Sequence, residues 1–245
     1  RGIAPLPLGV LNAATEGTMG YMIEQSLQNR LIKSNIKKEV ITIATQVLVD
    51  KNDPSIQNPT KPVGPFYTKE QAEVLKAEYG WTIVEDAGRG YRQVVPSPIP
   101  KEIIPFHTIK SLVEQGQIVI ACGGGGIPVY REEDGTLEGV DAVIDKDFAS
   151  GLLAKEIEAD LLVILTGVDR VAINFGKENQ QDLESMTVSE AKKHLEDGQF
   201  PKGSMGPKIA AAIRFIKENG NKVLITSIER IVDAFEGKTG TIITK

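Results

Sequence analysis

Residues Ile120–Ala149 read IACGGGGIPVYREEDGTLEGVDAVIDKDFA, and both ends of this stretch carry a signal. The apolar run Gln117–Cys122 stops at four consecutive glycines, Gly123, Gly124, Gly125 and Gly126. A β-branched run ending in glycines predicts a buried strand that delivers bare backbone to a ligand. At the other end, Asp145-Lys146-Asp147 stands directly before a helical pattern, predicting a helix over Asp147–Ala159. A lysine there opposes the positive end of the helix dipole. A bound anion removes the conflict, and phosphate is the anion that helix starts commonly hold. The stretch therefore reads as half of a phosphate site, built on a strand, a glycine turn and a helix start.

Outward from it, strands and helices alternate, which predicts an α/β fold with a mainly parallel sheet. Upstream, residues 1–11 read as loop, Asn12–Lys33 as a helix, and Glu39–Val49 as one strand. The helix carries Met19, Met22, Ile23, Leu27 and Leu31 at helical spacing, with Gly17 and Gly20 permitting close packing. Asp50–Pro100 then takes seven of the chain's thirteen prolines, which marks it as an insertion. Within it, Thr68–Tyr79 reads as a helix opened by a Thr68/Gln71 capping box. Trp81–Glu85 and Tyr91–Val95 read as strands joined through residues 86–90. The expected organisation is a core of residues 1–49 and 98–245 with a lid subdomain at 50–97.

Downstream, a helix is expected at Thr108–Gln115 and a central parallel strand at Leu161–Leu165. Helices at Val188–Leu195, Lys208–Glu218 and Ile228–Phe235 and strands at Val223–Thr226 and Thr241–Thr244 complete the pattern. Lys208, after Gly203-Ser204-Met205-Gly206-Pro207, is a second cation in a first helical turn. Ser204 or Gly206 is expected to cap that helix and Pro207 to begin it.

The 245 residues are 41% hydrophobic and 25% charged, ordinary for a globular chain. A net charge of −5 and a pI near 5.3 leave no general basic field for nucleic acid or anionic membrane. No apolar run reaches membrane-spanning length, and the N-terminus resembles no signal peptide. The single cysteine, Cys122, favours a reducing, cytoplasmic setting. It reads as a small buried residue rather than a nucleophile. His107 and His194 have no partners at ligand spacing, so no protein-held metal is expected. Gly237-Lys238-Thr239 imitates a P-loop, but Val232 stands where the first glycine is required. The glycine quartet does not fit the dinucleotide fingerprint, because Pro128 falls where its third glycine belongs. Taken alone, Lys61 in Asn58–Phe66 reads as an exposed lysine on a rigid turn.

In order along the chain, NPTKPVGPF (Asn58–Phe66), EDAGRGYRQVVPSPIP (Glu85–Pro100), CGGGGIPV (Cys122–Val129), VIDKDFAS (Val143–Ser150), LTGVD (Leu165–Asp169) and GSMGPK (Gly203–Lys208) closely resemble the carbamate kinases of the amino acid kinase family. VIDKDFAS and EDAGRG are similar to that branch rather than to sister kinases acting on acetylglutamate, aspartate or UMP. The resemblance implies a three-layer αβα sandwich with a small protruding lid, working as a homodimer. It implies reversible phosphoryl transfer between ATP and carbamate, giving ADP and carbamoyl phosphate, mostly toward ATP in arginine fermentation. Mg²⁺ would ride on the nucleotide phosphates. By the same resemblance, Lys146 and Lys208 neutralise the transferring phosphoryl group and Asp147 organises them. Lys61 becomes the lid lysine that reaches carbamoyl phosphate, while Gly123–Gly126 and Asp145 belong to the phosphate site. Thr166, Gly167, Val168, Asp169, Asn174, Phe175 and Met205 fall in the region that holds the nucleotide.

Family members begin with a strand and a Gly-Gly-Asn loop, followed by a His-Gly-Asn-Gly loop, and neither occurs in this sequence. The first strands of the fold are thus expected to be missing, and these residues alone to be poorly stable or inactive. Two other readings remain: a non-catalytic module that binds nucleotide or carbamoyl phosphate, and a sister kinase for another carboxylate.

Overall fold

The computed structural model describes residues 6–86, 88–201, 203–218 and 220–245. Residues 1–5 of the expected opening loop, and Ala87 in the expected 86–90 connection, lie outside the described residues. The chain divides after Lys146 into two compact units.

In the first unit, α1 (Leu8–Lys33) starts four residues before the expected Asn12. Its first turn is stabilised from far along the chain: the Leu8 N–H donates to Asp141 Oδ1 at 2.8 Å. No local motif announces such a cap. Gly20 permits close approach, since a Cβ there would lie 2.2 Å from Thr42 Cγ2, whereas Gly17 faces open space.

The single strand expected at Glu39–Val49 is two, β1 (Val40–Thr42) and β2 (Gln46–Leu48). The break falls at 43–45, where the Thr45 N–H donates to Glu16 Oε2 and its Oγ accepts from the Cys122 N–H and donates to Ile43 O. After these come α2 (Pro54–Gln57), β3 (Lys61–Tyr67), α3 (Lys69–Tyr79), β4 (Ile83–Glu85) and β5 (Tyr91–Val95). They include an antiparallel sheet of order β3-β5-β4. The Thr68/Gln71 capping box forms, and Gly80 ends α3 in the left-handed conformation. Residues 61–67 form a strand rather than the expected turn. They lie at the sheet edge, where proline is tolerated.

The unit continues with β6 (Glu102–Ile103), α4 (Phe106–Glu114), β7 (Ile118–Ile120), the glycine turn, and the hairpin β8 (Ile127–Arg131) and β9 (Leu137–Gly139). β7 pairs in parallel with β1, and β2 pairs in parallel with β8. The second sheet has the order β6-β2-β8-β9.

The second unit holds nearly all of α5 (Lys146–Glu156), then β10 (Leu162–Thr166), β11 (Val171–Ile173), β12 (Gln181–Leu183), β13 (Ser185–Thr187), α6 (Val188–Glu196), α7 (Met205–Lys217), β14 (Val223–Ser227), α8 (Ile231–Phe235) and β15 (Thr241–Thr244). Its main sheet has the order β10-β14-β15-β13, with β10 parallel to β14 and β13 parallel to β15. β10, expected to be central, is an edge strand of this sheet. Its core contains Val171, Ile209, Phe215, Val223, Ile225 and Ile243, all essentially inaccessible to solvent. Each contributes roughly 1.5–3 kcal/mol through burial. Gly151 lets α5 lie against α7, with Ala211 O 3.6 Å from the position of an added Cβ.

Candidate active site

The four glycines of the turn differ in what surrounds them. Gly124, Gly125 and Gly126 all have positive φ, at 72°, 127° and 88°. A Cβ on Gly125 would lie 2.1 Å from Ile144 O, and one on Gly126 2.3 Å from Val47 Cγ2. A Cβ on Gly123 would lie 3.3 Å from Glu16 Cγ. Gly124 meets nothing within 4 Å. Packing therefore requires three of the glycines, and Gly124 is the one whose backbone faces open space.

The aspartates flanking Lys146 each hold a different lysine. In the first unit, Lys61 Nζ donates to Asp145 Oδ2 at 2.9 Å. In the second, Lys208 Nζ donates to both Asp147 oxygens, at 2.9 and 3.2 Å. The Lys208–Asp147 side chains are 10% and 9% exposed, against 26% and 17% for Lys61–Asp145. Lys146 is exposed at the first position of α5. α7 begins at Met205, with Ser204 in the cap position but making no side-chain cap hydrogen bond. Lys208 thus does stand in a first helical turn, as expected, and a buried carboxylate compensates it. Sequence spacing alone identified the lysines but not this partnership.

A cavity of about 220 Å³ opens in the second unit at the C-terminal end of β10, where open α/β sheets bind ligands. Thr166, Gly167, Val168, Phe175 and Met205, all expected at a nucleotide, line it. Phe175 is 60% exposed, a free aromatic face at the rim. Asp169 and Asn174 are not among the lining residues. Asp169 accepts from Ser227 Oγ at 2.6 Å and lies 3.7 Å from Arg230 Nη1. Asn174, at φ 54°, donates its N–H to Gln199 Oε1 at 2.8 Å. Gln199 itself lines the cavity, with Arg170, Phe200 and Ser204. Sequence reasoning missed Arg170, Gln199 and Phe200, which lie between its motifs, and read Ser204 only as a helix cap.

It also missed Glu16, 4% exposed on α1 beneath the glycine turn. Burial pushes this carboxyl up to about 7, although the Thr45 N–H it accepts works the other way. Nothing in the spacing of α1 distinguishes Glu16 from a solvent-facing glutamate.

The chain matches the Amino acid kinase family over residues 66–227. It is 54% identical to a carbamate kinase of Thermococcus kodakarensis over 244 residues, covering 100% of this chain and 77% of that protein. Carbamate kinase 2 of Staphylococcus epidermidis is 52% identical, over 98% of this chain and 77% of its own length. The solved structure of Giardia lamblia carbamate kinase bound to AMP-PNP superposes with a TM-score of 0.89 at 46% identity, covering 100% of this chain and 78% of that one. By sequence and by α/β architecture, the chain belongs to the amino acid kinase family.

Proposed function

We propose that the chain catalyses reversible phosphoryl transfer between ATP and carbamate, with ADP and carbamoyl phosphate on the other side. The observation that carries this reading is the buried Lys208–Asp147 pair at the start of α7, joined through sequence to Lys146 at the start of α5. A lysine fixed in a buried first turn suits a site where negative charge arrives and moves. Carbamate is already an anion with a nucleophilic oxygen, so no general base is required. The barrier lies in bringing anions together, and the remedy is fixed positive charge and backbone N–H groups.

In this scheme Lys208 and Lys146 stabilise the equatorial oxygens of the moving phosphoryl group, and Asp147 orients Lys208. Gly124 offers its N–H from the open side of the turn. Residues 50–97 act as a lid whose Lys61 exchanges Asp145 for the carbamoyl phosphate oxygens on closing. The cavity beside β10 takes the nucleotide, with Phe175 against the base. Among the described residues no group of three His, Cys, Asp or Glu side chains is placed to hold a metal. The lysine-rich donor set fits Mg²⁺ carried on the nucleotide phosphates, where it would neutralise charge between them.

The exposed apolar side chains Tyr21, Met22 and Ile32 on α1 support a homodimer. No helix among the described residues is long and apolar enough to cross a membrane. A cytoplasmic setting with net flux toward ATP in arginine breakdown completes the reading. The test supplies ADP, Mg²⁺ and carbamoyl phosphate and measures ATP. Absence of ATP, with phosphorylation of acetylglutamate from ATP, would assign a sister activity; nucleotide binding without either would leave a binding module.

A further inference from the structure

Glu16 has no part in the scheme above, yet its surroundings tie it to the glycine turn. Its Oε2 accepts the Thr45 N–H at 2.7 Å. Its Oε1 is buried without a hydrogen-bond partner among the described residues. Thr45 is fully buried and passes the connection on. Its Oγ accepts the Cys122 N–H at 2.9 Å and donates to Ile43 O at 2.7 Å. Its carbonyl accepts the Ile127 N–H at 2.8 Å. Both ends of the turn therefore hang on Thr45, and Thr45 hangs on Glu16. Within the turn, Gly123 lies directly over the Glu16 side chain.

Among the described residues no cation answers this carboxyl. α1 packs against β1, the glycine turn and β8. β1 carries no titratable side chain, and Cys122 leads into the turn. β8 brings Tyr130 and Arg131, which are engaged by Glu132 and by Glu102 at 3.6 Å. On α1 itself, Glu24 Oε2 accepts the Thr42 N–H at 2.8 Å. An unpaired buried carboxyl holds its proton until desolvation is overcome. On ionising, it sets a negative charge under backbone meant for an anion.

We propose that Glu16 is a positioning residue for the phosphoryl site: it seats Thr45, Thr45 seats both ends of the glycine turn, and the protonated carboxyl keeps that turn receptive to phosphate. The proposal deepens the reading of the turn as a phosphate site and rests on it. Anion affinity should fall as pH rises through neutrality, by more than the ligand's own titration explains.

The test uses the full chain and calorimetric titration with carbamoyl phosphate between about pH 6 and pH 8. The wild type should lose affinity several-fold more than Glu16→Gln, which retains an acceptor for the Thr45 N–H but cannot ionise. Equal pH responses in the two proteins overturn the proposal. Amide hydrogen exchange provides the second arm: Glu16→Ala should speed exchange at Thr45 and Cys122 by about tenfold or more relative to Glu16→Gln. Equal exchange overturns the relay, and this arm decides even if no ligand binds. Neither readout needs turnover. A chain that binds but makes no ATP defeats the phosphoryl-transfer reading and leaves the Glu16 relay standing.

Discussion

Two lysine–aspartate pairs involve the residues on either side of Lys146, and they differ in exposure. Lys208–Asp147 is about one-tenth exposed and doubly hydrogen-bonded, whereas Lys61–Asp145 is partly open to solvent and singly bonded. A buried ion pair exists only because each charge compensates the other's desolvation, so removing either partner is severe. A partly solvated pair has water as a substitute and can exchange partners at little expense. In the proposed scheme the difference suits a fixed role for Lys208 and a movable one for Lys61. Glu16 extends the comparison as a buried carboxyl with no cation among the described residues, and burial pushes it up to about 7.

The largest expected effect is on the buried pair. Lys208→Ala removes the lysine that both Asp147 oxygens hold and should lower unfolding stability by about 3–5 kcal/mol in urea titrations. Adding Asp147→Asn should recover most of that loss; failure to recover would mean the pair is held by something other than mutual compensation. Next is pH. The Glu16 carboxyl is raised from 4.5 to about 7, so the folded chain holds a proton that the unfolded chain has lost. Stability should therefore fall as pH rises from about 4.5 to 7, by on the order of 3 kcal/mol, and level off above. Glu16→Gln should flatten that slope in urea midpoints.

Within the turn, Gly125→Ala should destabilise by roughly 3 kcal/mol, combining backbone strain with overpacking against Ile144 O. Gly124→Ala carries the strain alone, about 1–2 kcal/mol, and equal thermal shifts would contradict the packing described. The smallest stability effect belongs to Lys61→Ala, below about 1 kcal/mol. Its KM for carbamoyl phosphate should nevertheless rise, and a large stability loss with unchanged KM would reverse the contrast between the pairs.

Much of this was legible because local signals agreed with the fold. The Thr68/Gln71 box and the strand at 91–95 formed as their residues predict, the strand expected at 81–85 is shorter at 83–85, and the helix expected at 188–195 runs to 196. What escaped depends on distant partners. Asp141 caps α1 from the far end of the first unit, and Thr45 interrupts the strand that β-branched composition predicts to be continuous. The hairpin β8–β9 carries a local sign, Asp134-Gly135, between its two strands. Met19, Met22 and Ile23 kept helical spacing yet are nearly half exposed, because periodicity shows a stripe and not what covers it. At the site, motifs singled out the lysines and the glycines. The resemblance placed Asp147 with Lys208, but the Lys61–Asp145 contact and the burial of Glu16 are facts of packing.

Single-turnover quench flow on Lys208→Ala, loaded with ADP, Mg²⁺ and carbamoyl phosphate, tests the central claim most directly. The phosphoryl-transfer step should slow by about 10²–10³ while carbamoyl phosphate binding weakens far less, because the lysine's charge matters most at the transition state. A transfer step at the wild-type rate in a folded Lys208→Ala protein would contradict it.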